Sequence, residues 1–385
     1  MADPRPSPGG PGAAANRPAA AWYGPRTPSS PGPSAEPGPG SSQELRRRLL
    51  GSLAVLTAAA AFGTLGPITR LVGEAGFPAI VVVTWRSLVG AIVVTAAIAL
   101  LPAARSRLVG PSRIPARARL GLLAATLSSV ALNLAVFQAF ERVAIALALL
   151  GFYTYPAMVA LVDRVRTARP LGPVRLVALG FALVGMALVV VGPGVTVETL
   201  DLLGIGLALG AAAAQTVYVS IGRDGYPSVP TEQAIAMILL AGTPLFAIAA
   251  FVAGQGGAVL RVVELPDVWP YLALAGLVGG GGASLLYLFA IRAIGPLRTG
   301  ILALFEPVVG TVLAAVVLGE SLLPIQLAGG ALVLAGASLV QLAPDGTPAP
   351  LGTGDGRVGA LAPAGSDDPP SDATLDDRPG DAGRA

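Results

Sequence analysis

Ten long apolar runs, each close to 20 residues, constrain this chain more than any other feature. They cover residues 50–71, 79–101, 119–140, 143–163, 173–192, 201–221, 232–254, 269–292, 297–318 and 324–342, numbered below as spans one to ten. A helix rises about 1.5 Å per residue, so each run matches a hydrocarbon layer roughly 30 Å thick. The other spanning solution in lipid is a closed barrel of roughly ten-residue stretches alternating polar and apolar. Ala178 to Val191 shows no such alternation. The sequence predicts an all-α membrane protein with ten transmembrane helices. Because the first run begins near residue 49 and nine more follow, no cleaved leader is expected.

Composition narrows the chemistry. The chain has no His and no Cys, and all 25 basic residues are Arg. A Ser-His-Asp or Cys-His nucleophile, a zinc site with nitrogen or sulfur ligands, a haem or iron-sulfur centre and a disulfide all lose their residues. No Walker-type phosphate loop occurs, so no cofactor or bound nucleotide is expected. An intramembrane protease fits poorly too, since Asp163 lies at a span end without a second buried Asp. The chain reads as a non-enzyme.

Charge divides the molecule. Residues 1–43 contain 11 Pro with much Gly and Ser, and residues 345–385 hold eight Asp against three Arg. Neither stretch has the apolar surface to offset chain entropy, and both read as disordered tails. Residues 44–344 keep 19 Arg against 12 acids. Taking the side that holds the N-terminus as the inner side, Arg46, Arg47, Arg48, Arg105, Arg107, Arg113, Arg117, Arg119, Arg164, Arg166, Arg169, Arg175, Arg223, Arg292 and Arg298 fall there. Only Arg70, Arg142 and Arg261 fall on the outer side. Positive charge stays cytoplasmic during insertion, which predicts both tails in the cytoplasm and a multi-pass protein of the plasma membrane. The Arg residues are scattered over loops with almost no aromatic interleaving, so nucleic acid is not an expected partner.

The chain also repeats. Pro78 and Pro230 open spans two and seven, an offset of 152; Pro156 and Pro307 lie inside spans four and nine, an offset of 151. Pro173 and Pro324 open spans five and ten, and Gly185 and Gly336 follow, both at 151. Ten spans thus fall into five plus five, residues 50–192 and 201–342. Because five is odd, the second set enters from the opposite side and the halves are inverted repeats. Secondary transporters share this architecture, with the substrate between the halves near the midplane.

Particular residues carry a family resemblance. Leu304-Phe305-Glu306-Pro307-Val308-Val309, then Leu318-Gly319-Glu320, then Pro324 to Leu332 resemble the end of an EamA domain of the drug/metabolite transporter superfamily. Ala60-Ala61-Phe62-Gly63-Thr64, Trp85-Arg86 and Phe152-Tyr153-Thr154-Tyr155-Pro156 are similar to its earlier part. The resemblance spans roughly 50–342 in two copies. It implies ten helices and export of small metabolites by alternating access. One departure is that Arg169 stands where the offset would place a mate for Glu320, so that motif occurs once.

Two ionisable residues lie well inside the spans, Arg86 and Glu306. Charge in hydrocarbon is costly and marks a cavity or a partner. Arg86 sits about 10 Å below the outer edge and Glu306 about 13 Å above the inner edge, leaving about 7 Å in depth for two long side chains to close. In one reading they form an ion pair that locks the halves. In the other, Arg86 binds a substrate carboxylate and Glu306 an amine or a coupling proton. Trp85, Asn133, Gln138, Tyr153, Tyr155, Gln215, Tyr218 and Tyr287 are candidate lining residues. Pro156 and Pro307 are candidate helix breaks that free the Phe152 and Ala303 carbonyls. Gly279–Gly282 suggest a hinge, Gly206 and Gly210 a packing surface, and Glu320 an interfacial cap. The expected function is a secondary transporter exporting a small polar metabolite such as an amino acid, in exchange for protons. The alternatives are uptake of the same solutes and a membrane scaffold. The expected partners are the lipid bilayer, the solute and protons; the sequence assigns no oligomeric state.

Overall fold

The structure is a computed structural model that describes residues 39–143, 145–168, 170–190, 201–319 and 321–342. Residues 1–38 and 345–385 of the two expected tails, with Arg169 and Glu320, lie outside these residues; residues 39–43, expected in the first tail, instead begin the helix Pro39–Gly63. All regular structure among the described residues is helical. Nine helical segments there are long and apolar enough to cross a membrane, from Ser42–Glu74 to Pro324–Leu342. The fourth expected span is instead two short helices, Ile145–Phe152 and Tyr155–Thr167. The chain is a multi-pass membrane protein.

The break in the fourth span has a backbone cause that recurs. Proline has no N–H to give the carbonyl four residues earlier. For Pro156 that carbonyl belongs to Phe152, the last residue of its helix. The same relation holds for Pro307 and Ala303, where Pro296–Ala303 gives way to Phe305–Leu318. It holds again for Pro67 and Gly63, where Pro39–Gly63 gives way to Leu65–Glu74. At each break the chain turns tightly, with Thr64 N–H to Ala61 O at 3.3 Å, Thr154 N–H to Gly151 O at 3.3 Å and Leu304 N–H to Ile301 O at 3.2 Å. Pro67 was not singled out by the sequence reading. Pro244, by contrast, lies inside an unbroken helix, Thr231–Val252.

Span eight departs from α-helix in another way. Between Trp269–Leu274 and Ser284–Ile294 the residues Ala275–Ala283 form a π-helix that contains the run of four glycines. Such π segments are uncommon and concentrate at functional sites. A methyl on Gly280 would stand 2.4 Å from the Arg86 carbonyl oxygen, so the bare backbone lets span eight press against the turn that carries Arg86.

Repeat-related residues meet one another. A methyl on Gly185 would strike Gly329 O at 2.6 Å and Val333 N at 2.6 Å. A methyl on Gly336 would strike Ala178 O at 2.7 Å and Ala182 N at 2.9 Å. Adding the offset of 151 to residues 178, 182 and 185 gives 329, 333 and 336. The two contacts are images of each other, as in a two-fold interface. Their order also makes helices Pro173–Val190 and Pro324–Leu342 antiparallel. Ser87 Oγ donates to Leu239 O at 3.4 Å, and 239 is 87 plus the other offset, 152.

On the inner side Arg292 acts as a clamp. Its guanidinium donates to Val229 O at 2.9 Å, Thr231 Oγ1 at 3.0 Å and Tyr226 O at 3.2 Å, and it stacks 5.3 Å over the Tyr226 ring. These bonds satisfy carbonyls of the turn between spans six and seven. Arg298, counted to the inner side at the start of span nine, is 5% exposed within Pro296–Ala303.

Candidate functional site

Arg86 and Glu306 stand where the irregular helices converge. Span two is a regular helix, Ala79–Leu100, and delivers Arg86 from the outer side. Its guanidinium does not reach the carboxylate directly: among the described residues no ion pair of 4.0 Å or less joins Arg86 to Glu306. Nη2 donates instead to Asn133 Oδ1 at 3.0 Å, and Asn133 Nδ2 donates to Ser129 O at 2.8 Å, which fixes the amide's orientation. Glu306 remains within electrostatic reach of Arg86, and Tyr153 lies beside the carboxylate. The ion-pair lock is therefore absent as a direct contact. The guanidinium is held instead by Asn133 of span three.

Glu306 itself follows immediately on the break at Leu304, in the first turn of Phe305–Leu318. The break in span one comes to the same level. A methyl on Gly63 would stand 2.9 Å from Glu306 O and 3.0 Å from Gly310 N. Tyr153, at the break in span four, completes the set. Three interrupted helices and the π segment thus surround two charges in the bilayer-spanning part of the chain. Irregular backbone at such depth is tolerated where protein or a water-filled path shields it.

A second group lies further toward the inner side. The Tyr155 and Tyr287 hydroxyls are 3.5 Å apart, Gln215 Nε2 donates to Tyr287 Oη at 3.2 Å, and Tyr155 Oη donates to Gly300 O at 3.4 Å. Phe62 meets Tyr287 edge-on at 6.0 Å. Tyr155 and Tyr287 are buried, as is Leu304 beside them in the core. Spans four and nine touch here, with Gly300 against Pro156 and Tyr155. Tyr218 is buried still nearer the inner end, beside Tyr226 and Arg292.

Two expected lining residues are not brought to this place. Trp85 Nε1 donates to Val259 O at 3.0 Å and its ring stands edge-on to Trp269 at 4.9 Å, because the outer segment 253–268 folds over span two. Gln138 is exposed near the outer end of its helix, on the face away from Asn133. Gly206 and Gly210 also differ from expectation: nothing lies within 4 Å of a methyl on either, so they form no packing surface within the chain. One cavity of about 280 Å³ lies beside Val308, Thr311 and Gln326, and another of about 460 Å³ beside Pro111 and Arg119. Neither touches Arg86 or Glu306. Among the described residues no cluster of acids is arranged to hold a metal ion.

The model of the EamA-like transporter family matches residues 49–191 and again 202–342. The chain belongs to the EamA-like transporter family. Its members are transporters rather than enzymes, and the two matches divide this EamA chain between spans five and six. A crystal structure titled only "Crystal structure of protein" has the same fold, with a TM-score of 0.63 at 20% identity over 76% of this chain and 96% of the other. No curated relative matches in sequence.

Proposed function

We propose that this EamA protein is a ten-crossing secondary transporter of the plasma membrane, with both termini cytoplasmic. It exports small polar metabolites of the amino acid class in exchange for protons, by alternating access between two inverted repeats. The observation that carries the reading is the convergence of the breaks after Gly63, Phe152 and Ala303 on Arg86 and Glu306. Arg86, oriented by Asn133, receives the solute carboxylate. Glu306, beside Tyr153, receives the amine or the exchanged proton. Inversion is supported by the image-related contacts of Gly185 and Gly336 between antiparallel helices, since a two-fold between such helices lies in the membrane plane. The Tyr155, Tyr287 and Gln215 group closes the path on the inner side and separates when the halves rock. Pro156 and Pro307 mark the joints.

The test is counterflow in proteoliposomes loaded in turn with a panel of amino acids, amines and carboxylates. The expected result is exchange of solutes that carry both an amine and a carboxylate, and little exchange of solutes carrying one alone. A folded, reconstituted protein that exchanges nothing in the panel, in either direction, would leave the scaffold reading standing.

A further inference from the structure

The segment joining spans two and three carries Arg105, Arg107, Arg113, Arg117 and Arg119, and no Asp or Glu occurs between Glu74 and Glu141. Some other inner-side arginines are occupied: Arg48 pairs with Glu44, Arg223 lies 3.8 Å from Asp224, and Arg292 holds loop carbonyls; Arg46, Arg164 and Arg166 are exposed but are not gathered on one folded loop. Arg105, Arg107, Arg113 and Arg117 are exposed and no carboxylate among the described residues pairs with them.

This segment is nevertheless folded. Turns Pro102–Arg105 and Pro111–Arg113 shape it. Gln233 grips Val109 through both backbone groups, accepting from its N–H at 2.9 Å and donating to its carbonyl at 2.7 Å. Arg119 donates to Ile114 O at 3.0 Å and to Pro111 O at 2.9 Å, and Ile114 is buried in the core. The segment also walls a cavity of about 460 Å³ lined by Pro111, Ser112, Ile114, Arg119 and Met237, with Arg105, Arg107, Arg113 and Arg117 outside it on the exposed surface of the same folded segment. Leu100, Leu101 and Leu108 project beside them at 79%, 57% and 43% exposure. A charged patch rimmed by outward leucines at the end of an apolar helix matches the chemistry of a lipid, with a phosphate head above acyl chains.

We propose that the 101–119 segment is a binding site for anionic phospholipid, the headgroup phosphate seated among these arginines and the acyl chains against the leucines. Insertion charge bias alone explains arginines on this side, but neither the fixed fold nor the leucines. The proposal stands on residues outside the transport site, so its failure leaves the transport reading untouched.

The experiment is native mass spectrometry of the full chain in detergent, titrated with phosphatidylglycerol or phosphatidylcholine. Phosphatidylglycerol should remain bound where phosphatidylcholine does not, with affinity falling as salt rises. Each arginine neutralised should cost about fivefold, from the usual worth of a basic residue near an anionic surface. Arg105→Gln with Arg107→Gln should therefore weaken binding at least tenfold, while Arg223→Gln leaves it unchanged. The salt titration of the native chain needs no variant and holds if the double change does not fold. Equal retention of the two lipids, salt-independent binding, unchanged binding in the double variant, or full displacement by inorganic phosphate would overturn the proposal.

Discussion

Asn133 shows how one amide decides what a buried charge does. A hydrogen bond to a charged group contributes about 1.5–3 kcal/mol, and here it holds Arg86 toward span three rather than across to Glu306. Asn133→Leu should weaken solute affinity about tenfold or more in the counterflow assay, with folded yield reduced little, while Gln138→Leu should change neither. Asp201 is a second residue-scale case: expected as the first residue of span six, it instead stands just before the membrane helix Leu202–Asp224. Its carboxylate caps the helix Leu202–Asp224, and the Gly204 N–H, the Leu203 N–H and Arg142 together hold its pKa below the usual 3.8. A carboxylate lowered in the folded state stabilises above its unfolded pKa, and that contribution fades as pH falls through the folded value. Thermal unfolding of Asp201→Asn should therefore differ from the native chain near neutrality and converge with it in strong acid. Arg86 and Glu306 were legible because charge stands out in apolar runs. Their partners were not, because choosing between Asn133 and Glu306 requires knowing which helices adjoin.

At the scale of elements, the apolar runs and the prolines carried most of the information. Runs of membrane length are visible because lipid demands them, and the offsets of 151 and 152 are visible because prolines and glycines recur at fixed backbone constraints. The breaks after Phe152 and Ala303 follow from the same rule. The break after Gly63 obeys it too, yet Pro67 has no mate in span six, whose helix Leu202–Asp224 is continuous, so repetition gave no signal there. The π-helix in span eight was hidden as well, since glycine runs suit a bend and a close approach equally. These two differ in a test. Gly280→Ala places a methyl against Arg86 O and should lower the melting temperature, at a cost of about 1–3 kcal/mol for overpacking. Gly206→Ala meets nothing within 4 Å and should be tolerated. Comparable losses in both variants, or none in either, would reject the close-packing role.

For the whole molecule, the proton coupling we propose rests on one carboxylate, Glu306. Glu306 sits in the second EamA match, with its backbone against Gly63 and its carboxylate beside Tyr153, both of the first match. The most direct test reconstitutes Glu306→Gln and compares two modes: accumulation driven by an imposed pH gradient, and exchange of solute down its own gradient. The account predicts that the variant folds, loses gradient-driven accumulation and retains exchange. Undiminished pH-driven accumulation at normal folded yield would contradict it, and would move the working site to the tyrosines and Gln215 on the inner side.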